Sequence, residues 1–191
     1  MDESIYIILL LFIIYIYLKT KNRDILLHKI NNVSYYIRNL PDKDNAIGIL
    51  NKIRENLNKL IDDILREPEI NKHEYYAYIN KIKEKLKTVV ISETSKYSPY
   101  TSYTVNKGDE MIFCLRSKQD DKIHDINELM YVAIHEVAHI GCPEIGHTTL
   151  FNNINHYLLE KAIKYEIYKY IDYSIHNMEY CGLTLKNNIY K

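Results

Sequence analysis

The segment His135-Glu136-Val137-Ala138-His139 constrains this chain more than any other feature, because it lies in a helix whose two ends are marked. Asp125, followed three residues later by Glu128, resembles a capping box. Gly141 is a stop signal just past the apolar-periodic residues, and Pro143 reinforces it. On such a helix His135 and His139 project from one face and can offer two imidazole nitrogens to one Zn2+ at about 2.0–2.1 Å. Glu136 then acts as general base toward a zinc-bound water instead of binding the metal. The apolar residues around the pair keep water out and strengthen these interactions.

A catalytic zinc needs a third protein ligand and an open fourth position. His147 is the expected third ligand, since residues 142–146 can turn the chain back after the helix breaks at Gly141. Glu160 on the following helix is the rival, as a downstream carboxylate at plausible spacing. His156 is a weaker rival, and Cys142 lies too near the helix end to turn inward. His28, His73, His124 and His176 are isolated and read as structural or exposed. Tyr180 and Cys181 could bring a phenol or a thiol to the pocket, the phenol as an oxyanion donor.

With 47% hydrophobic residues and 25 basic groups against 25 acidic, the chain is too apolar and too neutral to be disordered. The same balance argues against a protein held by bulk attraction to nucleic acid, and no basic cluster with interleaved aromatics appears. Five Gly and four Pro disfavour an all-β fold with many turns. Cys114, Cys142 and Cys181 are odd in number and form no C-x-x-C pair, which predicts free thiols in a reducing compartment and no disulfide framework.

From Ile5 to Leu18 every side chain is apolar or Tyr. These residues span about 21 Å as a helix, with Tyr15, Tyr17 and Lys19 available to extend the run toward the roughly 30 Å of a bilayer core. The reading is an uncleaved single-pass anchor. Lys19, Lys21 and Arg23 follow the run and no basic residue precedes it, which places the C-terminal part in the cytosol.

The fold class expected is therefore α+β, in three parts: a transmembrane helix (1–20), a helical region (21–91) and a compact domain that carries the motif (92–191). Leu26, Ile30, Val33, Ile37 and Leu40 form a stripe that predicts a helix over 24–40, closed by Pro41. Further stripes predict helices over 45–66 and 71–88, packed as an antiparallel layer. After a loop to about residue 101, two β-type runs at 103–105 and 110–115 flank Asn106-Lys107-Gly108-Asp109 and predict a hairpin. The second run is covered on both faces or lies at a sheet edge, where it could pair with an extended substrate. A last helix starts near Thr148 and carries Leu150, Phe151, Ile154, Leu158 and Ala162 behind the motif helix.

The motif, followed by Gly146-His147 and the aromatic Phe151, resembles the WLM/SprT-like group of zinc metallopeptidases. Tyr103 to Gly108, Phe113 to Arg116 and Tyr180-Cys181-Gly182 are more similar still to a metallopeptidase family of large DNA viruses. The likeness covers roughly residues 100–185. It implies that residues 92–191 form a compact zincin-like domain, with a small sheet, an active-site helix and a C-terminal helix, with one Zn2+ on His135, His139 and His147 and with Glu136 as base. The seven residues between His139 and His147 depart from the metzincin pattern. The function expected is a membrane-anchored zinc metallopeptidase acting on polypeptide. The alternative is a non-catalytic membrane or virion protein with a structural zinc, in which a thiolate such as Cys142 or Cys181 closes the fourth position.

Overall fold

Short strands far apart in sequence, joined by amphipathic helices, organise the chain in the computed structural model, which describes residues 3–21, 24–30 and 33–185. In chain order, α1 is Glu3–Lys21, β1 is Ile25–Ile30, β2 is Val33–Arg38, α2 is Lys43–Leu65 and α3 is Tyr76–Leu86. Then come β3 (Val90–Glu93), β4 (Tyr103–Val105), β5 (Glu110–Phe113), α4 (Ile126–Gly141), α5 (Thr149–Lys164), β6 (Met178–Tyr180) and β7 (Leu183–Leu185).

The helix expected over 24–40 is instead the antiparallel pair β1–β2, with Ile25 opposite Arg38 and Ile30 opposite Val33. The reason is non-local. β2 holds β-branched and aromatic residues, and β3 runs parallel beside it with Tyr35 opposite Ile91. That ladder, with Tyr35 and Ile37 fully buried, outweighs a helical stripe that had no structural partner of its own.

The transmembrane expectation is also corrected. Among the described residues, no helix is long and apolar enough to cross a membrane. The apolar run in α1 is short: Ile5–Leu18 reaches about 21 Å where a bilayer core needs about 30 Å. The single-pass anchor, the membrane partner and the cytosol-facing orientation fall with it; Arg23, part of that orientation argument, lies outside the described residues.

Of the helical layer, the second and third stripes form helices as expected. α2 buries Leu50, Ile53, Leu57, Leu60 and Ile64, and α3 answers with Ile79, Ile82 and Leu86. The 71–88 prediction resolves into a 3-10 turn at Ile70–Lys72 and then α3. α2 also packs against β2 and β3, and both α2 and α3 pack against α4. Where α3 meets α4, a Cβ on Gly141 would sit 2.9 Å from Ile82 Cδ1, so glycine lets the last turn of α4 approach this closely.

The mixed sheet has the order β1-β2-β3-β5-β4. β5 is therefore interior: Met111 faces Ile91 of β3 on one side and Thr104 of β4 on the other. The substrate-pairing edge assigned to residues 110–115 is corrected accordingly. Met111, Ile112 and Phe113 are all buried, the mark of a strand covered on both faces, and β4 is the terminal strand. At the opposite end of β3, the buried Glu93 accepts from Arg116 Nε at 2.8 Å and from the Arg38 backbone N–H at 2.8 Å. Arg116 also reaches Asp42 at 2.5 Å, which ties the start of α2 to the sheet.

β6 and β7 form a separate antiparallel pair. The expectation of three free thiols is overturned here, because Cys114 and Cys181 are joined as a disulfide with their Cα atoms 6.0 Å apart. A separation of 67 residues leaves no spacing pattern by which the pair could be recognised. The reducing-compartment inference loses its basis, while Cys142 remains a free, buried thiol.

Candidate metal centre

Asp125 caps α4 by accepting from the Asn127 N–H at 2.8 Å, and the helix ends at Gly141. The inner face of α4 carries Leu129, Met130, Ala133, Ile134, Val137 and Ala138 into the core, which fixes its rotation. That rotation leaves His135 and His139 half-buried on the side facing a cleft of about 1150 Å3. The chain then turns through Gly146, whose φ of +82° suits glycine, and returns His147 to the same place. Lys107 in the β4–β5 turn donates to the carbonyls of Cys142 and Glu144 and so pins this returning loop. Thr148 next accepts from the Phe151 N–H and starts α5.

The three imidazoles meet through their Nε2 atoms. His147 Nε2 lies 3.1 Å from His135 Nε2 and 3.2 Å from His139 Nε2. These three side chains form a group that could hold a metal ion. Donors at about 2.0–2.1 Å in a tetrahedral arrangement lie about 3.3 Å apart, so the observed spacing fits a small cation. Hydrogen bonding alone fits worse, because a ring nitrogen offers one proton or one lone pair and His147 Nε2 has two such neighbours. Burial, and then the neighbouring imidazoles, push His135 down to about 3. Burial, then His147 and Lys107, push His139 down to about 4. Both rings are neutral at pH 7, the state in which imidazole donates a lone pair to a metal.

Phe151 lies beneath this cluster, stacked on His139 with centroids 4.1 Å apart and touching His135 and His147 at 5.0 and 4.9 Å. Glu136 is buried at the cleft wall, and burial raises its carboxyl to about 7 against the opposing hydrogen bond from Thr104. Thr104 Oγ1 lies 3.0 Å from Glu136 Oε2. Tyr180 also lines the cleft, its hydroxyl 2.5 Å from Ser102 Oγ, and burial pushes that phenol well above the usual range.

The fold thus brings together His135, Glu136, His139 and His147. Glu160 and His156 lie elsewhere, paired with each other at 3.8 Å and lining a different hollow with His73 and Tyr157. Tyr180 reaches the cleft as a phenol, whereas Cys181 is committed to Cys114. Thr104, Ser102 and Lys107 were not singled out by sequence reasoning. Ser102 had no signal beyond the loop before the predicted hairpin, whereas Thr104 and Lys107 lay in the Tyr103–Gly108 stretch that carries the resemblance, with no role assigned to either.

These features define an α+β protein with a buried carboxylate beside a three-histidine centre at one cleft. No family model matches the chain. It is 44% identical over 163 residues to Uncharacterized protein R325 of Acanthamoeba polyphaga mimivirus, covering 85% of this chain and 82% of that one. The chain belongs to the same family as that viral protein. Uncharacterized protein 136R of Invertebrate iridescent virus 6 is 26% identical over 143 residues, covering 73% of this chain and 78% of the relative. Among solved structures, Wss1 from Saccharomyces cerevisiae superposes with a TM-score of 0.49 at 17% identity, covering 73% of this chain and 96% of Wss1.

Proposed function

We propose that the chain is a zinc-dependent metallopeptidase in which His135, His139 and His147 hold one Zn2+ and Glu136 is the general base. The observation that carries this reading is the meeting of three Nε2 atoms within 3.2 Å of His147 at a cleft that Glu136 also lines. Bound zinc would supply Lewis-acid polarisation of a carbonyl and a water that ionises near neutral pH. The remaining work falls to the chain. Glu136 is one residue from the first ligand and lines the same cleft, which places its carboxylate to take and return a proton there. Val132, Ile145 and Leu183 line the cleft and offer apolar surface against which an extended polypeptide can pack. Residues 92–191 carry all four of these site residues.

A non-catalytic structural zinc would call for a fourth protein donor. Among the described residues the group that could hold a metal contains the three histidines alone. With Cys181 bonded to Cys114, that thiolate is unavailable, which favours an open position and therefore catalysis. The test is Glu136→Gln in the full chain, assayed on a mixture of denatured proteins by mass spectrometry of the fragments. Zinc content should match wild type while hydrolysis falls about 100-fold or more. Unchanged turnover would reject the role of Glu136.

A further inference from the structure

Glu136 belongs to the motif, but nothing in the motif determines which of its two oxygens faces the reacting groups. Its side chain leaves α4 and meets Thr104 of β4, a terminal strand of the sheet. On β4 Thr104 is held by its pairing opposite Met111, while Tyr103 and Val105 on either side pair with Ile112 and Glu110. The Thr104 hydroxyl lies 3.0 Å from Glu136 Oε2 and 3.2 Å from the Glu136 carbonyl oxygen. A hydroxyl carries one proton, and a carboxylate is the stronger acceptor, so the proton goes to Oε2.

We infer that Thr104 is a positioning residue: its hydroxyl ties Oε2 of Glu136 back to the sheet and so leaves Oε1 to face the cleft and handle the proton. This rests on the peptidase reading above, and it adds a residue from outside the metal motif. The carboxylate then keeps one orientation through turnover, and the reacting groups need no search among rotamers. A strand residue suits the task, because β4 is fixed by its ladder to β5 and packs against α4. Met111, across from Thr104 on β5, is fully buried, so the ladder that holds Thr104 is anchored in the core.

The experiment compares Thr104→Val and Thr104→Ser in the full chain. Val keeps the shape and suits a strand; Ser keeps the hydroxyl. For Thr104→Val, kcat should fall about 10- to 100-fold with KM changed less than about twofold and with zinc content as in wild type. Thr104→Ser should restore kcat to within about threefold of wild type. A second measurement needs no activity: urea unfolding of the metal-free protein in a double-mutant cycle of Thr104→Val and Glu136→Ala. The two changes should be non-additive by about tenfold in the unfolding constant, as for a hydrogen bond to a charged acceptor. Should Thr104→Val not fold, Thr104→Ala takes its place in both measurements.

Additive effects in the cycle, or a wild-type kcat in Thr104→Val, would overturn the assignment. A wild type that hydrolyses no polypeptide while the cycle still shows coupling would leave Thr104 holding Glu136 and would refute the peptidase reading instead.

Discussion

Phe151 offers the sharpest test of how packing supports the three-histidine cluster. Its ring is fully buried and touches all three imidazoles, with centroid distances of 4.1, 4.9 and 5.0 Å. Phe151→Ala removes that floor. Truncations of this kind cost about 3–5 kcal/mol, part lost transfer energy and part the cavity left behind. For a chain of 191 residues each kcal/mol lowers Tm by about 2–4 °C, so the metal-free protein should melt about 10 °C lower. The imidazoles also lose the contact that fixes their tilt, and losing such outer support typically costs about 10–100-fold in metal affinity. Phe151→Leu, which keeps most of the volume, should recover more than half of the loss in Tm but less of the affinity, since it cannot stack on His139. Scanning fluorimetry of the metal-free protein and competition with a chromophoric chelator measure the two quantities separately. A Phe151→Ala protein with wild-type Tm and wild-type zinc affinity would refute the claim that this ring holds the cluster in place.

Two further predictions concern the framework. The disulfide between Cys114 and Cys181 closes a loop of 67 residues, for which the chain-entropy model gives about 4 kcal/mol of stabilisation. Cys114→Ser should lower Tm by about 10 °C under oxidising conditions, and adding a dithiol reductant should remove most of the difference from wild type. Glu67 makes a pH test. Burial alone would raise its carboxyl, but hydrogen bonds from Lys161, Lys164 and Tyr165 prevail and bring it to about 2, below its ordinary 4.5. A carboxyl depressed by folding stabilises above its unfolded pKa, so its contribution is complete above about pH 4.5 and fades as pH falls toward 2. After allowance for solvent screening it is worth about 1–2 kcal/mol. Glu67→Gln should therefore lower Tm at pH 7 and lose less stability than wild type between pH 5 and 2.5, as thermal melts across that range would show.

What could be read from the sequence depended on how local the determining contacts are. α4 was legible because its cap, its apolar face and its stop lie within 20 residues, and His135 and His139 share a face for the same reason. The helical seam of α2 and α3 was legible through its periodicity. β1 and β2 were not, because Leu26, Ile30, Val33 and Ile37 fit a helical stripe as well as a strand, and what settled the matter was β3 more than 50 residues away. For β5 the sequence left open a strand covered on both faces or an edge, and its second neighbour, which decides between them, is again β3. The disulfide was hidden because only tertiary structure brings Cys114 to Cys181. In α1 the composition was plain, but a run of 14 apolar residues was credited with a span that its length does not provide. At the cleft, His147 could be proposed from the helix break at Gly141. Thr104 and Lys107 lay in a stretch that carries the resemblance, but their roles were not legible, since the partners, Glu136 for one and the carbonyls of Cys142 and Glu144 for the other, are brought up only by tertiary packing.

Zinc stoichiometry tests the account most directly. The full chain and its His147→Ala variant, each exposed to excess zinc and then dialysed, would be analysed for metal by plasma mass spectrometry. One zinc per chain in wild type and a small fraction of that in His147→Ala, with both proteins folded by circular dichroism, is the result predicted. Undiminished zinc in the variant, or no retained zinc in wild type, would contradict a centre built from these three histidines.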